Sequence, residues 1–196
     1  MYIVNTLMLG NPGGRVSQLL WDNITNMSRL IVIRGNSGSG KSIIAKRLQQ
    51  DLQPRFAKDI GHGAMLVSQD VIRRDILRVK DGPNNPSIQL IKDTATYGLS
   101  IGFDVIIEGI LVRKMYGEML HDLTSLFDEA YVYYFDISFE ETLRRHQTKP
   151  NSHEFGETEM RRWYVANDTL NIPSEKSFTD SQSQDEILRA IMNDLQ

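Results

Sequence analysis

One stretch, Leu30 to Ser42, constrains the fold of this 196-residue chain more than any other. It opens with Leu30-Ile31-Val32-Ile33-Arg34, a short β-branched run. It continues through Gly35-Asn36-Ser37-Gly38-Ser39-Gly40-Lys41-Ser42 and passes into an apolar-periodic segment that starts Ile43-Ile44-Ala45. A buried strand, a glycine-rich turn and a helix start therefore follow one another directly. The glycines let the backbone curl until successive N–H groups point inward, and the helix adds the positive end of its dipole. Such a corner is suited to phosphate oxygens.

The spacing is the full G-x-x-x-x-G-K-S/T pattern of the phosphate-binding loop, or P-loop. In that pattern the backbone of Gly35, Asn36, Ser37, Gly38, Ser39 and Gly40 cradles the phosphates. Lys41 reaches the β- and γ-phosphates, and the Ser42 hydroxyl ligates Mg²⁺. A plain glycine turn between a strand and a helix explains the glycines but not Lys41-Ser42. The chain is thus expected to bind a nucleoside triphosphate with Mg²⁺.

Length and composition bound the rest. A chain of 196 residues with 40% hydrophobic and 24% charged residues fits one α/β domain with a single core. The net charge of −3 gives no general reason to bind nucleic acid or an anionic membrane, so any polyanion-binding surface must be local. With no cysteine, disulfides, thiolate catalysis and cysteine-based zinc sites are excluded. The first arginine is Arg15 and the apolar runs are short, so neither a signal peptide nor a membrane span is expected, and the predicted location is the cytoplasm.

Residues 1–28 form an N-terminal extension with two readings: an added edge strand with a covering helix, or a flexible lead-in. Beyond them, 29–196 reads as one domain in which strands alternate with helices. The strands are expected at Leu30–Arg34, Ala64–Ser68, Asp104–Glu108, Ala130–Asp136 and, weakly, Glu175–Phe178. The first helix should bury Ile43, Ile44 and Leu48, and a helical segment follows Asp70. Leu90, Thr94, Tyr97 and Ile101 then give another helix by their spacing, and Leu111, Met115, Met119, Leu123 and Leu126 share one face of the next. Ser138-Phe139-Glu140-Glu141 and Ser183-Gln184-Asp185-Glu186 match capping boxes that start two further helices. Thr158 to Ala166 also looks helical. This pattern predicts a three-layer α/β/α fold around a parallel five-stranded sheet, with a small helical lid at about residues 144–166.

In such a fold the ligand sits at the carboxyl ends of the strands, and Asp70, Glu108 and Asp136 each fall at or just past such an end. Phosphoryl transfer needs a group to orient or deprotonate the acceptor, a metal, and cations for the transferred charge. Asp70 is the candidate acceptor group, with a helix N-cap as its structural alternative. Glu108 is placed to hold Mg²⁺ through water, together with Ser42, or to bind the acceptor; a merely solvated carboxylate is the alternative. Asp136 reads as structural. Arg73 and Arg74 lie within one turn of Asp70 and are expected near the acceptor, unless they simply line a solvated face. Arg144, Arg145, Lys149, Arg161 and Arg162 surround a polar segment after the fourth strand, where a closing lid can bring arginine to the phosphates. Ion pairs with Glu140, Glu141, Glu157 and Glu159 are the other outcome. His62, His121, His146 and His153 show no metal-ligand spacing. Tyr97 and Trp163 are either core or stacking residues.

These residues resemble the P-loop kinases of small molecules, in the nucleoside-kinase-like part of the P-loop superfamily. The resemblance spans roughly Leu30 to the C-terminus. It rests on Gly35 to Ser42, on Ser68-Gln69-Asp70-Val71-Ile72-Arg73-Arg74, on Val105-Ile106-Ile107-Glu108-Gly109 and on the arginine-bearing lid segment. Asp70 to Arg73 looks like the zeta-toxin, chloramphenicol phosphotransferase and polynucleotide 5′-kinase branches, where the matching aspartate is the acceptor's base. Ile107-Glu108-Gly109-Ile110-Leu111 looks more like uridine kinases. The resemblance implies ATP and Mg²⁺ and transfer of the γ-phosphoryl to a hydroxyl; the long N-terminal lead-in and the arginine spacing of the lid depart from it. Lys41, Asp70 and Arg145 are the expected catalytic set, and Arg144, Arg145 and Arg161 are the expected lid contacts to phosphate. The expected partner is a small-molecule alcohol. A nucleic-acid end kinase is the near alternative, although it calls for a basic groove. A regulatory NTPase is the alternative from another class. Its guanine-reading form needs an N-K-x-D stretch, and Ala57-Lys58-Asp59 comes nearest but lacks the asparagine.

Overall fold

The run from Leu30 to Ile33 has no solvent exposure, as a strand covered on both faces requires. In the computed structural model, which describes residues 28–53, 63–148, 153 and 155–196, this run lies in β1, Arg29–Gly35, at the centre of a five-stranded parallel sheet. The other strands are β2 (Ala64–Ser68), β3 (Asp104–Gly109), β4 (Glu129–Phe135) and β5 (Glu175–Phe178). Their order is β2-β3-β1-β4-β5. β1 pairs with β3 through Leu30 opposite Val105 to Arg34 opposite Gly109, and with β4 through Arg29 opposite Glu129 to Gly35 opposite Phe135. The chain visits one side of β1, then the other, so the switch point falls at its carboxyl end, where the glycine loop begins. The two readings of residues 1–28 fall, except for the buried Ser28, outside the described residues.

The alternation of side chains along the strands splits the core in two. Leu30, Val32, Val105, Ile107 and Val132 face α2 (Ser87–Ser100) and α3 (Arg113–Thr124). Ile31, Ile33, Ile106, Tyr133 and Phe135 face α1 (Lys41–Leu52) and α6 (Gln184–Asp194). The remaining helices are α4 (Phe139–Gln147) and α5 (Glu157–Trp163), in the span expected to form a lid.

Several helix faces differ in detail from their apolar pattern. Ile43 is exposed, leaving Ile44, Ala45 and Leu48 as the buried stripe of α1. On α2 the buried positions are Ser87, Ile91, Ala95 and Gly98, and Tyr97 is exposed. Here small residues win over large ones because the helix backbone lies directly on the sheet: a Cβ at Gly98 would come within 2.6 Å of the Val105 side chain. On α3, Tyr116 and Leu120 complete the buried face, Leu111 is buried just ahead of the helix in a left-handed turn (φ 46°), and Leu126 is exposed beyond its end. The segment after Asp70 winds as a π-helical turn, Val71–Ile76, closed by the Leu77 N–H donating to the Ile72 carbonyl at 3.0 Å. The Ser183–Glu186 capping box forms in full. The first box is only half made. Ser138 accepts from the Glu141 N–H at 3.3 Å, but its own N–H goes to Asp180 and the Glu141 carboxylate goes to two arginines.

Candidate active site

β1 ends in a turn that only glycine tolerates at its tightest points. Gly38 has φ 85°, and a Cβ there would lie 2.6 Å from the Thr142 carbonyl of α4; Gly40, with φ 97°, is the N-cap of α1. Lys41 begins the helix and is buried. Its Nζ folds back over the loop and donates to the Asn36 carbonyl at 2.7 Å and to Ser39 Oγ at 3.0 Å. The cation therefore already lies over the curl of backbone N–H groups, where the negative charge of a phosphate would be met.

Glu108 stands beside it at the end of β3, only 5% exposed. It is not a solvated carboxylate. Ser42 donates to its Oε2 at 2.9 Å and Ser68, at the end of β2, donates to its Oε1 at 2.5 Å. A buried carboxylate needs such donors to offset its lost hydration. The register that aligns Ser68 with Glu108 and Arg34 with Gly109 brings all three strand ends to one rim.

Asp70 follows β2 at the N-cap position of the π turn, yet its side chain makes no capping bond. Instead the carboxylate, 57% exposed, pairs with Arg73 at 3.0 Å and Arg74 at 3.3 Å. Asp70 and Arg74 line a concave pocket of about 100 Å³ shared with Gly38, Lys41, Ser42 and Glu108, to which Phe155 and Trp163 add aromatic surface. Phe155 packs edge-on against Trp163 at 5.2 Å between ring centres and stacks on His146 at 4.4 Å, so Trp163 belongs to an aromatic rim of this pocket.

The arginines of α4 and α5 separate cleanly. Arg145 Nη1 donates to the Ser39 carbonyl of the glycine loop at 2.9 Å. Its Nε donates to Glu141 at 2.6 Å, and Arg144 binds the same carboxylate at 2.6 and 2.7 Å. Those hydrogen bonds, from Arg144 first and then Arg145, hold the Glu141 carboxyl down at about 2. Arg144 is otherwise exposed. Arg161 pairs with Glu157 at 2.8 Å and lies 4.1 Å over the Phe139 ring. Asp136 follows Phe135, the partner of Gly35, and lines a separate concavity with Ser138, Tyr164 and Asp180.

Two further residues carry the site. Arg34, the polar member of the β1 run, has no exposed side-chain surface, pairs with Asp168 at 2.5 Å and Glu175 at 3.0 Å, and donates to the Leu111 carbonyl at 3.4 and 3.3 Å. Asp168 in turn accepts from the Arg113 N–H at 3.0 Å, anchoring the start of α3. Asn36 exchanges two hydrogen bonds with the main chain of Val165. Both residues fasten the stretch that follows α5 to the end of β1. A charge inside a buried strand demands a buried partner, which is a signal in the sequence for Arg34; Asn36 carries none.

A central β1 flanked by β3 and β4, with a glycine loop leading into a helix that begins Lys41-Ser42, defines the P-loop NTPase class of fold. Within that class the chain belongs to the AAA domain family, whose pattern matches residues 30–169. No curated protein matches the chain in sequence. Among solved structures it is similar to a gluconokinase from Sinorhizobium meliloti, with a TM-score of 0.57 at 17% identity over 87% of this chain and 91% of that one. It is also similar to the Mycobacterium tuberculosis APS kinase CysC, solved with AMPPNP and APS, at 0.63 and 17% over 86% and 98%. Chaetomium thermophilum Kti12, solved with ADP-AlF3, gives 0.54 and 15% over 85% and 96%. At these identities the likeness is one of fold. No helix among the described residues is long and apolar enough to cross a membrane.

Proposed function

We propose that the protein is an ATP-dependent phosphotransferase that moves the γ-phosphoryl group to a hydroxyl of a small molecule. The observation that carries this is the shared pocket: Asp70 lines the same concavity as Lys41, Ser42 and Glu108, so an acceptor meeting Asp70 also meets the phosphates. The fold likeness to a gluconokinase and to APS kinase supports it.

In this reaction the glycine-loop N–H groups and Lys41 bind the β- and γ-phosphates, and Arg145 adds charge from the lid side. Asp70 takes the proton of the acceptor hydroxyl as its oxygen bonds to the γ-phosphorus. The bond from that phosphorus to the β,γ-bridging oxygen breaks, leaving ADP and a phosphorylated alcohol. Arg73 and Arg74 fix the orientation of Asp70. The oxygen pair of Ser42 and Glu108 suits Mg²⁺, which takes one or two protein oxygens and completes its shell with phosphate and water. When bound, Mg²⁺ neutralises charge on the β- and γ-oxygens.

Lys41→Ala tests the nucleotide half. ATP affinity, read by calorimetry, should fall by about tenfold or more and hydrolysis should vanish, since a charge-assisted contact to phosphate is removed. A regulatory NTPase is the alternative, since the likeness to Kti12, solved with ADP-AlF3, is one of fold and fits a nucleotide site of either kind; it predicts ATP hydrolysis that no alcohol accelerates.

A further inference from the structure

A second cavity, of about 500 Å³, opens on the other side of the same three residues: Ser42, Asp70 and Glu108 line both it and the phosphate pocket. On the phosphate side the neighbours of that shared wall are Gly38, Lys41 and Arg74. On the cavity side they are mostly hydrocarbon. Leu66 comes from β2, Val71, Ile72 and Ile76 from the π turn, and Leu90 from α2. Ser68, Thr94 and Lys46 are the further polar members, and Ser68 is already committed to Glu108. Ile76 is 61% exposed, and Val71 is also exposed. Two β-branched apolar side chains that line the cavity thus stand open to water.

This juxtaposition has a direction. Asp70, Ser42 and Glu108 are the residues that the cavity and the phosphate pocket share, so material bound in the cavity meets the phosphate side at them. A hydroxyl must lead at that end, while the body behind it lies against Leu66, Val71, Ile72, Ile76 and Leu90. A polyhydroxy body there would set most of its hydroxyls against hydrocarbon, with Thr94 and Lys46 as the polar members of that wall, and each hydroxyl beyond their reach would lose water without a partner, which is costly. An apolar body loses nothing and also covers Val71 and Ile76. The volume lies within the range of pockets that bury a small organic ligand.

We infer that the phosphoryl acceptor is an alcohol with a hydrophobic aromatic or alicyclic body, bound in the Leu66–Ile76–Leu90 cavity with its hydroxyl at Asp70. This rests on the phosphotransferase function proposed above and names its substrate class. The acceptor is not a polyol, a nucleoside or a nucleic-acid end.

The test uses the full chain with saturating ATP and Mg²⁺ and reads acceptor-dependent ADP release. One set of acceptors contains arylalkyl and alicyclic alcohols, with naphthylmethanol as the reference; the comparison set contains gluconate, adenosine and a 5′-hydroxyl oligonucleotide. At least one apolar alcohol should accelerate ADP release by roughly tenfold or more, with kcat/KM falling by a similar factor in Ile76→Asp and recovering in Ile76→Leu. Because Ile76 is exposed, these variants keep the core intact, which an unchanged melting temperature and ATP affinity will verify. Greatest acceleration by a member of the comparison set overturns the inference. So does a panel in which no apolar alcohol accelerates or binds, or an acceleration indifferent to Ile76→Asp. An apolar alcohol that binds by calorimetry, loses binding in Ile76→Asp and yet never accelerates ADP release supports the cavity and overturns the phosphotransferase function instead.

Discussion

The Asn36 side-chain amide bonds the main chain of Val165 in both directions: Nδ2 donates to the Val165 carbonyl at 2.8 Å and Oδ1 accepts from the Val165 N–H at 2.9 Å. Asn36 is the first variable position of the glycine loop, and Val165 lies just beyond α5. The glycine loop and the chain just past α5 are therefore fastened at one point. Asn36→Leu keeps the volume and leaves the Val165 N–H without its partner. It should destabilise the fold by about 1–3 kcal/mol, the cost of an unsatisfied buried group. Urea unfolding measures this, and amide exchange at Val165 should quicken more than exchange in β1.

Arg34 makes the second fastening, through Asp168 and Glu175. Replacing it with methionine retains much of its volume but strands two carboxylates against a buried strand end. Removing one partner of a buried ion pair costs about 3–5 kcal/mol. A loss of that size in urea unfolding is expected. Arg34→Lys should recover only part of it, because one ammonium cannot reach Leu111, Asp168 and Glu175 as a planar fork does.

Glu141 makes the lid side sensitive to acid. Arg144 and Arg145 hold its carboxyl at about 2, against an ordinary value of 4.5. The folded state thus resists a proton that the unfolded chain accepts more readily. The stabilisation is complete above pH 4.5 and is lost as pH falls toward 2. Glu141→Gln should lower the melting temperature at neutral pH, and the gap from the parent protein should close through that acid window. A gap that stays constant with pH would mean that the arginine pairs contribute nothing.

The sequence makes the sheet and the phosphate loop legible because both rest on local chemistry. A strand such as Leu30–Ile33 announces its burial by its own composition, and Gly38, Gly40, Lys41 and Ser42 announce theirs by spacing. The convergence of Asp70 and Glu108 follows from parallel strands ending on one rim, and it is met in the pocket that both line. What the sequence leaves open depends on contacts between distant segments. Nothing near Asn36 points to Val165, 129 residues on. Nor does the pattern of α2 reveal that Gly98 brings its backbone onto Val105, moving the buried stripe to Ile91 and Ala95. The Ser138 box looks complete in sequence, but Asp180, Arg144 and Arg145 compete for its two halves. Likewise three lid arginines look alike as a cluster, and only α4 packing against Gly38 selects Arg145 as the one reaching Ser39.

Asp70→Asn separates the two halves of the proposed site, the carboxylate that serves the acceptor and the glycine loop that serves ATP. The amide keeps the size of the side chain and cannot take a proton. With an accelerating alcohol in hand, ATP affinity should stay within about twofold, and kcat for transfer should fall by about a hundredfold to ten-thousandfold, the usual worth of a positioned general base. Near-normal transfer by Asp70→Asn would contradict the account and move the proton acceptor to another group.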